Sequence, residues 1–189
     1  MKVLLVNNQY RPVPGGAEAV LLRTEELLRG EGHETIPFSL RHPDTLASPW
    51  TGDFPQADRL ARSPWRRTDS LATLYSLSVR RRLERLIDRA RPHVAHLHNV
   101  YEKLTLSVVD ALRSRGVPIV LTLHDYRAVC PNGYLLAPDG PCIRCVRDRS
   151  TRHAVVHRCL GPSLGANLMA AAECAINRRL RQYDKVDLF

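Results

Sequence analysis

The sequence predicts an α/β fold built on a parallel β-sheet, and three observations support this prediction. Short apolar runs recur along the chain, of which KVLLVN (2–7) and PIVLTLH (118–124) are the clearest, and each has the length of a buried strand. Segments with apolar residues at helical spacing, such as 17–32, alternate with these runs. Most connections are short, and such alternation places helices on both faces of a parallel sheet. We therefore expect a Rossmann-like, doubly wound domain.

The first third of the chain supplies a strand, a helix, a second strand and a long connection. The helix predicted over 17–32 has charges on the face opposite its apolar stripe and glycines as stop signals at its end. ETIPFSL (34–40) is a weaker strand, and Pro37 favours an edge position because proline has no N–H to donate to a neighbour. Residues 41–66 contain four prolines and two tryptophans without periodicity, which predicts an irregular insertion.

The remaining elements continue the alternation. A leucine-rich stripe predicts a helix over 69–90, whose end, VRRRLERLIDRAR, is strongly basic. Gly116 and Pro118 mark the end of another predicted helix. The further predicted elements are a strand at 93–98, a helix at 103–115, the central strand at 118–124, a helix at 163–182 and the start of a strand at 185–189.

Composition limits the functions that the chain can have. Lys and Arg number 28 against 19 acidic residues, a net charge of +9 that suits an anionic partner such as a phosphate-bearing substrate, a membrane surface or a nucleic acid. A GC-rich genome that places Arg instead of Lys on solvated surfaces explains the same excess. The opening MKVLLVNNQY has too short an apolar run for a secretory signal, and no stretch is long and apolar enough to span a bilayer. We therefore expect a cytoplasmic protein.

The candidate site residues follow the predicted strands, since ligands of doubly wound sheets bind beyond the carboxyl ends of the strands. PVPGGAEAV places Gly15 and Gly16 at the start of the first helix, where backbone amides attract anions. A plain strand-to-helix turn explains this motif equally well, and its spacing is not that of the dinucleotide-binding fingerprint.

Two further strand ends carry histidines. In HLHN (96–99) both histidines point to the same face of the strand, and His96 is better explained as a hydrogen-bonded core residue than His98, which lies with Asn99 at the ligand edge. TLHDY ends the central strand with His124, a side chain that can bind a sugar hydroxyl or stabilise developing charge near neutral pH. Polar residues that simply terminate a strand are the alternative.

The cysteines are concentrated after the central strand. A CxxC knuckle with two outlying cysteines can form a closed tetrahedral zinc site. Structural zinc, reduced thiols and disulfides remain three open interpretations, and His153 and His157 are substitute ligands. The four candidate ligands, spaced C-x11-C-x2-C-x13-C, are Cys130, Cys142, Cys145 and Cys159.

Taken in order, the GGAE turn, the HxHN strand end and the TLHDYRxxCPNG segment resemble the N-terminal domain of glycosyltransferase family 4, whose members are retaining enzymes of the GT-B fold. The resemblance covers nearly the whole chain, and 41–66 is its least characteristic part. It implies two Rossmann-like domains with the active site in the cleft between them. The N-terminal domain holds the acceptor, and the C-terminal domain holds the nucleotide-sugar donor.

The resemblance also implies roles for single residues. His124 would lie beside the reacting sugar as the catalytic residue. Gly15 and Gly16 would bind substrate near the donor phosphates and the acceptor. The other substrate-binding residues of the site would be Glu18, His98, Asn99, Tyr126 and Asn132. The chemistry needs no cofactor, so any zinc would be structural.

We further expect one Rossmann-like domain over 1–184, with a Cys-rich loop at 125–160, and a link at 185–189 to a C-terminal GT-B domain supplied in cis or in trans. Without that domain the chain would be inactive. The expected partners are a nucleotide-sugar and a saccharide or lipid-linked acceptor, with peripheral contact to the anionic inner face of the membrane; nucleic acid is not expected. The alternative is a zinc-stapled basic module, without enzymatic activity, that binds nucleic acid or a protein.

Overall fold

The computed structural model describes residues 1–12, 15–56 and 74–189 of the chain. These residues form two compact units. The first unit contains Met1–His124 and Asp184–Phe189, and the second contains Asp125–Tyr183. No helix in the described ranges combines the length and the hydropathy that crossing a bilayer requires.

The first unit is built on a parallel sheet of four strands, which confirms the predicted fold class. The strands lie in the order β2-β1-β3-β4, and Leu188 adds a parallel bridge beside Val120 of the last strand. The strand bounds are Lys2–Val6 (β1), Glu34–Phe38 (β2), Val94–Leu97 (β3) and Ile119–Leu121 (β4).

Pro37 lies in the edge strand, as its missing donor predicts. Its partner in the register is Leu5 of β1, which is buried on both faces of the sheet, so the apolar run of β1 is continuous. The parallel register between β1 and β2 runs from Lys2 and Glu34 to Val6 and Phe38.

Three helices accompany this sheet: α1 (Gly16–Gly30), α2 (Leu77–Ala90) and α3 (Ser107–Arg113). Helix α2 begins at a capped end, because the hydroxyl of Ser76 accepts a hydrogen bond from the backbone N–H of Val79 at 3.3 Å. It ends at Arg91, which adopts the left-handed conformation. The apolar stripe of α2 is buried and consists of Val79, Leu83, Leu86, Ile87 and Ala90.

A buried polar network joins α1 to β2. The carboxylate of Glu25, only 4% exposed, accepts hydrogen bonds from the hydroxyls of Tyr10 and Thr35 and from the guanidinium of Arg29. Burial, followed by the hydrogen bond to Glu25, raises the pKa of Tyr10 to about 12, so this phenol stays a hydrogen-bond donor. The network satisfies a charge that would otherwise be costly to bury.

The observed elements differ from the predicted ones mainly at their ends. The helix predicted over 69–90 is not continuous, because Ser76 has an extended backbone and caps α2, which begins at Leu77; residues 69–73 lie outside the described ranges. The helix predicted over 103–115 is shorter, because Thr105 has a positive φ of 62° that cannot continue into a helix. Within 41–66, a 3₁₀ turn at Thr51–Asp53 and a bridge between Arg41 and Gln56 are described, and 57–66 lie outside the description.

The second unit contains regular structure where the sequence predicted a loop at 125–160. Its longest element begins at a cap, since the Ser163 hydroxyl accepts from the N–H of Ala166 at 3.3 Å. The elements are β5 (Leu136–Ala137), antiparallel to β6 (Gly140–Pro141), and the helices α4 (Arg144–Arg147), α5 (Arg152–Val156) and α6 (Leu164–Arg179). Helix α6 is the observed form of the helix predicted over 163–182.

Candidate functional site

The strand order creates a crevice at the carboxyl ends of β1 and β3. The chain leaves β1 in one direction toward β2 and then crosses back to β3 on the other side, so the order reverses between these two strands. Such a reversal is where ligands of doubly wound sheets bind. The residues that follow the two strands, Asn7 and His98, therefore lie at the expected site.

Two asparagines after β1 hold the segment that follows β3. The backbone N–H of Asn99 donates to Oδ1 of Asn7 at 3.0 Å, and the N–H of Asn8 donates to the carbonyl of Asn99 at 2.8 Å. The amide of Asn8 reaches the carbonyl of Tyr101 and the N–H of Leu104. These bonds fix Asn99, which is half-buried, at the crevice. The sequence predicted that the residues after β1 lie at the site, but it did not predict that Asn7 and Asn8 hold the segment after β3 by hydrogen bonds.

The start of α1 is shaped by Gly15 and Glu18. The carboxylate of Glu18 is buried, and its Oε1 accepts from the amide of Asn7 at 3.3 Å. A Cβ atom on Gly15 would lie 2.4 Å from the other carboxylate oxygen, so only glycine fits this position without a shift. Among the described residues, a Cβ on Gly16 meets no atom within 4 Å. The Glu18 carboxylate thus supplies negative charge inside the first turn, where the helix favours it.

Three histidine rings meet at the carboxyl ends of β3 and β4. The rings of His96 and His98 lie 4.3 Å apart, as expected for residues on the same face of one strand. His98 is 1% exposed, and its Nδ1 lies 3.0 Å from Nε2 of His124. The two rings are stacked with centroids 5.3 Å apart. His96 instead bonds the hydroxyl of Thr122 through Nε2 at 2.7 Å.

Burial controls the charge of the inner two histidines. Burial, with smaller contributions from His96 and His124, lowers the pKa of His98 to about 3. Burial also lowers the pKa of His96, again with a smaller contribution from His124. Both rings are therefore neutral near pH 7. His124, like His96, is half-buried.

Tyr126 and Asn132, the other two predicted substrate residues, belong to the second unit. The side chain of Tyr126 is 56% exposed, whereas that of Asn132 is buried. Asn132 braces its own loop: Oδ1 accepts from the N–H of Tyr134 at 3.0 Å and faces the thiol of Cys130 at 2.9 Å, while the amide donates to the carbonyl of Leu136. The substrate contacts of both residues remain predictions.

All five cysteines lie in the second unit as free thiols. They are close enough to influence one another electrostatically: beyond the main effect of burial, Cys130 and Cys142 each raise the pKa of Cys145 and of Cys159. Burial raises the pKa of Cys174, which stands on α6, to about 11. At neutral pH the thiols of Cys145, Cys159 and Cys174 are therefore protonated and have low nucleophilicity.

The predicted four-thiolate zinc site is not supported by this arrangement. Within the described ranges, which include every cysteine and histidine of the second unit, no three His, Cys, Asp or Glu residues are grouped so as to hold a metal ion. The imidazole of His153, offered as a substitute ligand, is instead bonded through Nε2 to the carboxylate of Asp148 at 2.7 Å. His157 stacks on that ring with centroids 6.1 Å apart.

Six of the predicted site residues belong to the first unit and follow the carboxyl ends of its strands. They are Gly15, Gly16, Glu18, His98, Asn99 and His124. Sequence reasoning missed Asn7, Asn8 and Thr122 as their supports. Polar side chains directly after an apolar run were the signal for the two asparagines. Thr122 offered no comparable signal, because threonine is common in strands.

The site combines hydrogen-bonding groups with the N-terminus of a helix, and it has few groups that could act as a general base. Glu18, the acidic side chain of the crevice, is buried against Asn7, and the inner histidines are neutral. Asn99 and His124 are half-buried and so retain partial access to solvent. Neutral donors and acceptors of this kind suit a polyhydroxylated ligand.

Comparison with known proteins agrees with this chemistry. The family model described as Glycosyltransferase Family 4 matches residues 14–163, which is most of the chain. No curated protein matches the chain. The matched range runs from the turn before α1 through the histidine cluster and most of the second unit. The α/β sheet, the residues at its carboxyl edge and this match together identify the chain as a member of glycosyltransferase family 4.

Proposed function

We propose that this chain is the acceptor side of a glycosyltransferase that moves a sugar from a nucleotide-sugar to an acceptor with retention of configuration. The observation that carries the proposal is the position of His124, which stands half-buried at the carboxyl edge of β4 in a chain of this family. A ring in that place can donate a hydrogen bond to the reacting sugar. The coarser assignment, a glycosyltransferase-type module, rests on the family match.

Retaining transfer places particular demands on a site. The transition state resembles an oxocarbenium ion, and a diphosphate departs, so the protein must stabilise charge more than it must remove a proton. The imidazole of His124 and the backbone amides at the start of α1 are groups of that type. Glu18 is held by Asn7 and is therefore poorly placed to act as a base.

The remaining site residues have supporting roles in this proposal. Gly15 and Gly16 let the chain approach the donor phosphates and the acceptor closely, since neither carries a side chain. In the first unit, Asn99 binds the acceptor through its amide, and Glu18 and His98 shape the site from buried positions. In the second unit, Tyr126 has an exposed aromatic surface on which a sugar ring can pack, and Asn132 is buried in the same loop.

The acceptor side needs a donor side. We base this part on the resemblance to the N-terminal domain of GT-B enzymes, in which a second Rossmann-like domain binds the nucleotide-sugar. That domain would be supplied in cis or in trans. The acceptor is a saccharide or a lipid-linked saccharide.

A lipid-linked acceptor would bring the protein to a membrane surface, and helix α2 is suited to that. Arg81 and Arg85 are exposed on the face opposite its buried stripe, and none of the ion pairs of the described residues involves either of them. Such a basic face attracts anionic lipid headgroups. We therefore include peripheral contact with the inner face of the membrane in the proposal.

The experiment follows transfer of labelled sugar from a panel of nucleotide-sugars to saccharide and lipid-linked acceptors. The chain is assayed alone and with a GT-B donor domain added in trans. We expect transfer only in the mixture, and at least a 100-fold loss for His124→Ala with unchanged thermal unfolding, as for removal of a key hydrogen-bond donor. Transfer by the chain alone would refute its role as one half. Transfer that survives His124→Ala would refute the site, and no transfer in any mixture would refute the proposed activity.

A further inference from the structure

His98 is a buried residue with one specific partner. It follows β3 and is 1% exposed, and its backbone N–H continues the ladder by donating to the carbonyl of Val6 at 2.9 Å. Its Nδ1 lies 3.0 Å from Nε2 of His124, and its Nε2 is buried without a hydrogen-bond partner among the described residues. Of the two ring nitrogens, Nδ1 is therefore the one with a partner in the described part of the chain, and that partner is His124.

The hydrogen bond between the two rings fixes where their protons lie. A neutral imidazole carries one proton, on either Nδ1 or Nε2. If the proton of His98 were on Nε2, a buried N–H would have no acceptor. If it is on Nδ1, that N–H donates to His124, and the atom left without a partner is a bare acceptor nitrogen. Buried N–H groups without partners are the rarer of the two, so the second arrangement is favoured.

We propose that His98 is a positioning residue that donates its Nδ1 proton to Nε2 of His124 and thereby holds His124 in the Nδ1–H tautomer. The stacked geometry, with ring planes 28° apart, limits rotation of the His124 ring at the same time. His124 then meets a ligand at the sheet edge as a hydrogen-bond donor. This is the form that a sugar hydroxyl oxygen or a departing phosphate oxygen needs.

His96 serves as the natural comparison. It packs on His98 with ring centroids 4.3 Å apart, but its own hydrogen bond goes to Thr122. Removal of His96 takes away packing beside the pair and leaves the donor to His124 in place. Removal of His98 takes away the donor itself. The two variants therefore separate a local packing effect from the proposed control of the tautomer.

The inference rests on the proposed function only for the identity of the ligand that His124 would bind, and its test uses no ligand. Long-range ¹H–¹⁵N spectra of the histidine rings are recorded on the full 189-residue chain at pH 8. We expect His124 of the wild type to be essentially all Nδ1–H. In His98→Leu we expect the Nε2–H form, which free histidine prefers in water, to become the major form.

Two further variants make the result specific. His98→Asn retains an amide N–H near the position of Nδ1, and we expect it to restore the Nδ1–H form of His124. His96→Leu should leave the His124 tautomer unchanged. The proposal is overturned if wild-type His124 is Nε2–H or a mixture, or if His98→Leu and His96→Leu have equal effects. If His98→Leu does not fold, the proposal is tested by the His124 tautomer in the wild type and in His98→Asn, both of which should be Nδ1–H. Because no sugar takes part, failure here is distinct from failure of the transferase proposal.

Discussion

A single glycine determines how the first helix meets the crevice. Gly15 has an extended backbone that any residue can adopt, so it is not required for conformational freedom. What excludes a side chain is the buried carboxylate of Glu18, which lies against the Gly15 Cα and is held there by Asn7. The lack of space for a side chain, rather than the backbone conformation, therefore explains why position 15 is a glycine.

We predict that Gly15→Ala displaces the Glu18 carboxylate and breaks its hydrogen bond to Asn7. The loss should be roughly 1–3 kcal/mol of unfolding free energy, the usual value for a hydrogen bond to a charged group. Gly30→Ala, at the other end of the same helix, is the matched control. Its Cβ meets no atom within 4 Å, so the variant should be neutral or about 1 kcal/mol more stable.

Urea unfolding of both variants measures the difference as a change in midpoint at constant slope. Equal midpoints for Gly15→Ala and Gly30→Ala would show that Glu18 moves without cost. In that case the close approach at Gly15 would have no structural importance.

At the scale of elements, the sequence predicted most of the sheet and few of the element ends. The apolar runs correctly predicted β1, β3 and β4, because strands inside a parallel sheet are buried on both faces. The missing N–H of Pro37 correctly predicted that β2 is an edge strand, because an edge strand needs fewer hydrogen-bond donors. The start of the helix predicted over 103–115 could not be found from the sequence pattern, because Thr105 has a positive φ and its hydroxyl accepts a hydrogen bond from the N–H of Ser76, 29 positions earlier. Periodicity carries no such information.

The candidate site was predictable in position but not in detail. A rule about strand ends located His98, Asn99 and His124, since the carboxyl edge is fixed by topology. The hydrogen bond between His98 and His124 joins residues 26 positions apart, and no local pattern reveals it. In the same way, the spacing of the cysteines predicted a zinc site, but spacing alone does not determine where thiols point.

The thiols of the second unit lead to a prediction about reactivity. Because burial raises the pKa of Cys174 to about 11 and also raises that of Cys145, these two thiols of the native chain should react only slowly with a thiol reagent at pH 8. In denaturant all five thiols should react, since unfolding restores ordinary pKa values.

The measurement is a thiol titration of chain purified without chelator or reductant, paired with elemental analysis for zinc. Rapid reaction of Cys174 in the native chain would contradict the burial. One zinc per chain, with four thiols protected until a chelator is added, would restore the four-thiolate site that the described arrangement does not support.

Helix α2 yields a prediction about membranes. Arg85→Ala removes one exposed charge from the basic face and should weaken binding to vesicles containing anionic lipid by about 1 kcal/mol, or about fivefold. Arg23→Ala on α1 is the control, because Arg23 is also exposed but is paired with Glu26. Co-sedimentation with anionic and neutral vesicles measures the effect. Equal binding of the two variants, or no preference for anionic vesicles, would remove membrane contact from the proposal.

At the scale of the whole molecule, the described chain consists of two compact units. The first unit provides a parallel sheet, and Asn7, Asn99 and the histidine cluster follow the carboxyl ends of its strands. The second unit, Asp125–Tyr183, carries all the cysteines and the exposed Tyr126. The central claim of the proposed function is that the crevice of the first unit binds sugar.

The most direct test maps saccharides and nucleotide-sugars onto the chain by amide chemical shifts, with ligand added to saturation. The account predicts shifts at Gly15, Gly16, Asn99 and His124, because these residues follow the strand ends that form the crevice. It also predicts that His124→Ala, with its fold retained, weakens the binding. Shifts that avoid all four residues, or saccharide binding that His124→Ala leaves unchanged, would contradict it.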